Sequence, residues 1–535
     1  YNFRTRSSRL GDIVHSNPVY VSEPSMSWPD ASPFPATDTT KYSYWKELDA
    51  VKNRAAMLYV GANDGMMHGF RSSDGAETLA YIPADVFSTT TNQGLHYLTD
   101  PAYLHRYYVD LPPTVTDAYV KVETSGGTAW RTLLLGGQRA GGKSIFAMDI
   151  TYPSNFSESN AADLVLWEFT ESDLGYTYSE PTVALMNDGK WAAIFGNGYN
   201  DSGSGEAQLF IVYLEGGLDG TWTSGTDYIK ISTGSGSTSN RNGLSTPAVI
   251  DTDGDGVADR VYAGDLYGDL WAFDLSSTNA SQWKVAYKQG STYKPLYDGL
   301  STQPITVEPL VANHPTETGS PNYMIYFGTG QYLVDGDKTS TDTQSFYGIW
   351  DHGVKELERS DLIEQTFETG FASNVRVLSD NAVDYSSNDD GWYIDLPTST
   401  ERVVVNPVQR GEIVYFNTLI SSTDPCTYGG SGWLMGVDMA TGGRPSSDNI
   451  IFDVNGDGVV DSTDLLTNGD SSVSNAAATG IQYAEGIPAE SAFLGDYQYT
   501  PGTNTDDGSD IKVNKVQDLG DGETGRLSWE EITLD

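Results

Sequence analysis

Pro247-Ala248-Val249, Val261-Tyr262-Ala263-Gly264, Leu270-Trp271-Ala272-Phe273-Asp274 and Trp283-Lys284-Val285-Ala286-Tyr287 together spell out one structural unit. Short apolar runs bounded by Gly, Asp or Pro read as strands joined by tight turns. The same series recurs on both sides of it. Its opening element returns as Asn17-Pro18-Val19, Pro113-Thr114-Val115, Pro181-Thr182-Val183, Pro304-Ile305-Thr306-Val307 and Asn406-Pro407-Val408. The second returns as Met57-Leu58-Tyr59-Val60-Gly61, Leu133-Leu134-Leu135-Gly136, Ala193-Ile194-Phe195-Gly196 and Ile325-Tyr326-Phe327-Gly328. The third returns as Gly69-Phe70, Ile145-Phe146-Ala147-Met148-Asp149, Leu209-Phe210-Ile211-Val212, Phe346-Tyr347-Gly348-Ile349-Trp350 and Trp433-Leu434-Met435-Gly436-Val437-Asp438. A fourth, weaker strand carries Trp or Tyr, as in Leu166-Trp167-Glu168-Phe169.

Repeats of four short strands predict an all-β chain folded as a β-propeller, because each blade buries both faces against its neighbours. Seven modified blades are expected, with six or eight left open. The glycines are expected where hairpin turns need positive φ. The repeat spacing is roughly sixty residues in the middle and roughly a hundred after Pro18 and Pro304. The wide gaps hold insertions, residues 22–46 and 356–388. Few stretches read as helix, and residues 45–53 and 464–466 are the short candidates. The chain is accordingly divided into propeller blades over 1–445, an inserted calcium-loop segment over 446–480, and a segment over 481–535 that returns to or packs on the propeller.

Composition narrows the function. Of 535 residues, 73 are Asp or Glu and 30 are Lys or Arg, a formal net charge of −43. No basic stripe exists to displace phosphate counterions, so general nucleic-acid affinity is excluded, and anionic membrane surfaces are disfavoured. No apolar run approaches the eighteen or so residues of a membrane span. The single cysteine, Cys426, makes no internal disulfide and reads as a buried small residue, with an intermolecular thiol as the alternative. The chain opens Tyr1-Asn2-Phe3-Arg4 and reads as a processed or truncated product.

The strongest chemical signal is Asp251-Thr252-Asp253-Gly254-Asp255-Gly256-Val257-Ala258-Asp259. Acids at loop positions one, three, five and nine, with Gly at six, match the start of a calcium loop, and Val257 would offer its carbonyl at seven. Two carboxylates about 4 Å apart repel by roughly 4 kcal/mol at an effective dielectric near 20. Position twelve is Tyr262, so no EF-hand is formed; the loop joins two strands, with Asp259 as the expected bidentate ligand and the ion clamping one blade hairpin. A second candidate runs through Asp453, Asn455, Asp457, Val459, Asp461 and Asp464, with Leu465-Leu466 after it. It resembles a dockerin-type calcium half-site, without the duplicated segment that cohesin binding requires. Asn63-Asp64-Gly65 and Asn187-Asp188-Gly189 read as plain solvated hairpins.

Other signals fail on their mechanism. Gly137-Gln138-Arg139-Ala140-Gly141-Gly142-Lys143-Ser144 satisfies the P-loop pattern, but a strand rather than a helix follows, so no amides cradle phosphate. His15, His68, His96, His105, His314 and His352 show no zinc-site spacing, and no nucleophile elbow is present. No catalytic residue is assigned.

Gly11-Asp12-Ile13-Val14-His15-Ser16-Asn17-Pro18, Tyr59-Val60-Gly61-Ala62-Asn63-Asp64-Gly65-Met66-Met67-His68-Gly69-Phe70, the Pro425-Cys426 and Gly432-Trp433-Leu434-Met435 strings, and Gly525-Arg526-Leu527-Ser528-Trp529 resemble the C-terminal domain of PilY-type type IV pilus tip adhesins. That resemblance implies a modified seven-bladed propeller exported through the periplasm to the bacterial surface at the pilus tip. It implies minor pilins, the protein's own N-terminal region and a host-cell or abiotic surface ligand as partners. It also implies Ca2+ in a loop that governs pilus extension against retraction, a pattern on which Asp251, Asp253, Asp255 and Asp259 fall. The von Willebrand A-like N-terminal region of the family is not in this sequence, so the chain is expected to be a C-terminal fragment of such a protein. An Arg-Gly-Asp string found in some members is replaced at its nearest point by Arg410-Gly411-Glu412, so integrin recognition is not expected. The expected function is therefore a non-catalytic, calcium-binding module for pilus biogenesis and adhesion. The alternative is a quinoprotein (PQQ-type) dehydrogenase, whose blade motif Ala272-Phe273-Asp274 and Val437-Asp438-Met439-Ala440-Thr441-Gly442 resemble. A weaker third is a polysaccharide-binding or lyase propeller, suggested by 12 Trp and 33 Tyr.

Overall fold

The computed structural model describes residues 3–6, 8–387, 389–424, 429–484, 486–503 and 511–517. Cys426, the Pro425-Cys426 string and Gly525-Arg526-Leu527-Ser528-Trp529 lie outside them. The chain forms two compact units. One comprises the residues up to Val261 with Phe273–Ala286, the other Tyr262–Ala272 and residues from Tyr287 onward.

In the first unit the repeats fold into antiparallel meanders. Val19–Val21, Met57–Ala62, Met66–Arg71 and Glu77–Tyr81 make one sheet, and Thr114–Val120, Ala129–Gly137, Ile145–Asp149 and Val165–Phe169 the next. A third contains Thr182–Met186, Trp191–Gly196, Glu206–Tyr213 and Tyr228–Gly236. The middle strands are apolar throughout because both faces are covered: every residue of Ile145–Asp149 and of Trp191–Gly196 is buried. Of the series quoted first above, Ala248–Ile250 and Lys284–Val285 are strands of this unit, while Arg260–Gly264 and Leu270–Asp274 run across its boundary with the other.

The strand-ending glycines have a different cause from the one expected. Gly61, Gly136, Gly196, Gly264 and Gly328 are absent from the positive-φ glycines. They leave room for a close neighbour: a Cβ would lie 2.5 Å from the Val109 carbonyl at Gly61, 2.2 Å from the Ser245 carbonyl at Gly196, and 2.2 Å from Ile305 and Val403 at Gly264 and Gly328. At Gly136 the obstacle is the ring of its cross-strand partner Phe146, 2.3 Å away. Four of the five therefore mark where the approach to a later repeat passes over the strand end.

Residues 22–46 are no mere surface insertion. Phe34, Tyr42 and Trp45 are buried in the core cluster of Trp130, Trp191 and Phe195. Tyr42–Lys46 and Asp49–Lys52 are short helices, overlapping the expected helix over 45–53 but broken in two. The P-loop-like string is a hairpin between Ala129–Gly137 and Ile145–Asp149, as its mechanism required.

In the second unit, Leu310–Asn313, Tyr323–Gly328, Ser345–Asp351 and Gly391–Asp395 form a meander, with Ile363–Gln365 added in parallel at the edge. The strand expected at Pro304-Ile305-Thr306-Val307 begins instead at Leu310. Ile305 and Val307 are buried lead-in residues, Ile305 being the side chain that packs on Gly264. The next sheet holds Val408–Arg410 and Glu401–Arg402 on Ile413–Ser421, followed by Gly430–Asp438, Gly480–Tyr483 and Val375–Arg376. Its fourth strand thus arrives only after the excursion that carries the second acidic loop. Ala492–Leu494, Tyr497–Pro501 and Ile511–Lys515 make a three-stranded sheet. The chain is thus mostly strands in a seven-bladed β-propeller arrangement, with few short helices.

Candidate metal centre

The loop from Asp251 to Asp259 begins where Ala248–Ile250 ends, and its backbone is set by its own side chains. Asp251 accepts from the Gly254 amide at 2.8 Å through Oδ1 and from the Gly256 amide at 2.6 Å through Oδ2. Asp253 Oδ1 accepts from the Asp255 amide at 3.2 Å, and Asp255 Oδ1 from the Val257 amide at 2.9 Å. Gly254 and Gly256 have φ of +78° and +85°, the left-handed conformation such a turn needs.

This wiring gathers charge. Asp251, Asp253 and Asp259 bring one carboxylate oxygen each to within 4.8 Å of one another, the one such group among the described residues. Asp255 is not part of that group, although it stands close enough to feel it. Partial burial, then the charges of Asp253, Asp251 and Asp259, hold its carboxyl above the usual range, against the pull of the Val257 amide. Converging carboxylates suit a hard, oxygen-seeking divalent ion.

The far end of the loop is fastened from outside. Asp259 is buried, and its Oδ2 accepts from the amide and hydroxyl of Thr252 at 2.9 and 2.7 Å. Its Oδ1 accepts from Asn187 Nδ2 at 2.9 Å, and the same amide group reaches the carbonyls of Ala258 and Leu275 at 3.1 Å. Val257–Ala258 forms a two-residue strand parallel to Leu185 and Met186. The loop therefore does more than clamp one hairpin, as its sequence suggested: it ties its own strand pair to the preceding sheet. Phe34 closes the other side, 2.6 Å from where a Gly256 Cβ would stand.

Asn187 was legible only as a turn residue, and Asn187-Asp188-Gly189 is not a plain solvated hairpin. Nor is Asn63-Asp64-Gly65, where both polar side chains are buried. Asp64 accepts from the Gly11 amide at 2.7 Å and pairs with His68 at 3.0 Å, while Asn63 Oδ1 accepts from the Tyr108 amide.

The second acidic loop repeats the wiring residue for residue. Asp453 accepts from the Gly456 and Gly458 amides at 2.6 and 2.8 Å, Asn455 from the Asp457 amide at 2.8 Å, and Asp457 from the Val459 amide at 2.9 Å. Its last acids act differently. Asp461 caps the short turn Ser462–Asp464 by accepting from the Thr463 amide at 2.8 Å. Asp464 is 0% exposed and accepts from the amides of Val454, Asn455 and Asp461. It serves as a buried brace under the loop. The expected helix at 464–466 is this turn, two residues earlier.

Arg410-Gly411-Glu412 is a hairpin corner in which Arg410 is buried, so it presents no arginine to a partner. His15, His68, His105 and His352 each pair with a carboxylate, and His314 is buried among aromatic rings.

Comparison with known proteins adds the following. The sequence model of the PilY1 beta-propeller domain matches residues 10–381, a span that includes the 251–259 loop and excludes the 453–464 loop. The chain is 38% identical over 509 residues to the type IV pilus biogenesis factor PilY1 of Pseudomonas aeruginosa, covering 86% of this chain and 41% of that protein. It is 38% identical over 468 residues to a PilY1 homolog of Xylella fastidiosa, covering 82% and 30%. The crystal structure of the Pseudomonas aeruginosa PilY1 C-terminal domain superposes with a TM-score of 0.69 at 32% identity, over 94% of this chain and 99% of that domain. The chain thus spans less than half the length of the curated relatives it matches.

Proposed function

The chain belongs to the PilY1 β-propeller family, and on that premise we propose that it is the propeller module of a type IV pilus biogenesis factor, acting at the cell surface through Ca2+-dependent structure and adhesion rather than catalysis. The observation that carries the calcium reading is the convergence of Asp251, Asp253 and Asp259 in a loop already folded by its own amides. Those three residues would hold the ion, with Asp255 and the Val257 carbonyl completing an all-oxygen set. Bound there, Ca2+ supplies charge neutralisation and no reaction.

The chain's own residues do the rest. Asn187 and Thr252 orient Asp259, and Val257–Ala258 transmits the loop's order to the preceding sheet. Occupancy of the loop then stiffens the seam between successive blades, a state suited to opposing pilus retraction. Asp453, Asn455, Asp457, Val459 and Asp461 would supply a second calcium loop, braced by Asp464. Minor pilins of the pilus tip, the N-terminal region of the full-length protein and a surface ligand are the partners that the family assignment suggests.

Calcium titration of the whole chain tests this. A ligand at a hundred times its Kd stabilises the folded form by about 2.7 kcal/mol, so melting should rise with calcium in the native chain and far less in Asp251→Asn with Asp253→Asn. In pilus-bearing cells the same double variant should lower the number of extended pili. A melting temperature indifferent to millimolar calcium would overturn the metal reading. Full piliation by the double variant, with binding abolished, would overturn its link to pilus extension.

A further inference from the structure

Arg410 ends the strand Val408–Arg410 and is 5% exposed. Its Nη2 donates to the Gly495 carbonyl at 2.8 Å, and its Cζ lies 5.0 Å from the centre of the Phe493 ring. Nε and Nη1 are buried with no hydrogen-bond partner, and among the described residues no carboxylate pairs with the guanidinium. Asp496 is near enough to feel the charge but is engaged by Lys515.

A second group beside it is in the same condition. Tyr415 pairs across the strands with Val408, two residues from Arg410, so register puts Arg410 and Tyr415 on one face of the sheet. The Tyr415 ring lies 4.8 Å from Phe493, and its hydroxyl is buried without a partner. On the covering three-stranded sheet, Phe493, Gln498 and Asn514 stand opposite one another. Gln498 Oε1 and Asn514 Nδ2 are also buried and unpartnered.

A guanidinium does not lose its proton in a protein, so burial leaves a full charge that one carbonyl cannot neutralise. A water molecule would accept from it without offsetting that charge. A small anion does both, and the Tyr415 hydroxyl can donate to the same acceptor. We propose that Arg410 and Tyr415 form a buried site for a small monovalent inorganic anion, filled by chloride, that fastens the three-stranded sheet onto the strands Val408–Arg410 and Ile413–Ser421.

The test uses the whole chain with chloride and bromide as probes. At constant ionic strength, replacing gluconate by chloride should raise the melting temperature along a saturating curve. The rise should disappear in Arg410→Met and shrink in Tyr415→Phe, which carries the comparison alone if Arg410→Met fails to fold. Crystals grown in bromide should show an anomalous peak within hydrogen-bonding reach of Arg410 Nε or Nη1. A melting curve identical in chloride and gluconate, or density there that scatters only as water in bromide crystals, would overturn the proposal.

Discussion

Gly256→Ala isolates the contact between the acidic loop and residues 22–46. Both Gly254 and Gly256 have left-handed φ, so alanine at either carries about 1–2 kcal/mol of backbone strain. They differ in surroundings. At Gly254 a Cβ meets nothing within 4 Å; at Gly256 it lies 2.6 Å from Cε2 and 2.9 Å from Cζ of Phe34. That ring has little freedom, being 3% exposed, stacked on Trp28 at 5.4 Å and edge-on to Trp191 at 6.0 Å. Forcing it aside adds an overpacking cost of about 1–3 kcal/mol, giving a total of about 2–5 kcal/mol. At roughly 2 °C per kcal/mol for a unit of this size, melting should fall by about 2–4 °C for Gly254→Ala and about 4–10 °C for Gly256→Ala. Calcium affinity measured by calorimetry should fall further for Gly256→Ala, because the displaced amide is the one that donates to Asp251 Oδ2. Phe34→Leu should restore part of the loss in the Gly256→Ala background, with a coupling of about 1 kcal/mol or more. Equal losses at the two glycines, with no coupling to Phe34, would refute the reasoning.

Arg376 and Glu401 form a buried ion pair at 2.6 Å, 8% and 0% exposed at the side chain, with the guanidinium 4.0 Å from the centre of the Trp433 ring. Removing one partner, as in Glu401→Gln or Arg376→Met, should cost about 3–5 kcal/mol in urea unfolding, and the Arg376→Met, Glu401→Leu double variant less than either; additive losses would contradict this. His314 is 5% exposed, and its Nδ1 accepts from the Thr316 and Glu317 amides at 3.2 and 3.0 Å. Burial, with a smaller push from His352, brings its pKa down to about 4. The unfolded chain therefore takes up this proton first. Stability from this group is complete above about pH 6.5 and declines toward pH 4 by about 1.4 kcal/mol per unit. Imidazole NMR should find the ring neutral at pH 5, and a midpoint near 6.5 would refute the assignment.

The repeat was legible wherever a strand is buried on both faces, because its apolar run survives any loop placed beside it. Ile145–Asp149 and Trp191–Gly196 are of this kind. Gly480–Tyr483 was not legible as a fourth strand, since the chain leaves the sheet after Asp438 and returns by way of the second acidic loop. The aspartates of the first loop could be read from spacing alone, because carboxylate geometry in such turns is local. Their supports could not: Asn187, Phe34 and the Leu185–Met186 edge are distant in sequence, and their residue types are equally at home in a solvated turn or an ordinary core. The strand-ending glycines were located correctly and explained wrongly, whereas turn glycines such as Gly65 and Gly189 do take the expected positive φ. Sequence marks that a side chain is missing, while only the fold shows whether torsion or crowding removed it.

The short parallel strand Val257–Ala258 also fixes an order of events during synthesis. Thr182–Met186 keeps an open edge until its partner emerges from the ribosome, the Ala258 carbonyl being 71 residues downstream of Asn187. Throughout that interval the nascent chain offers unpaired backbone amides to any other polypeptide nearby. Translation that stalls, or a truncation that ends, between those two points should therefore yield sticky fragments, whereas one more loop's worth of chain covers the Leu185–Met186 end of that edge.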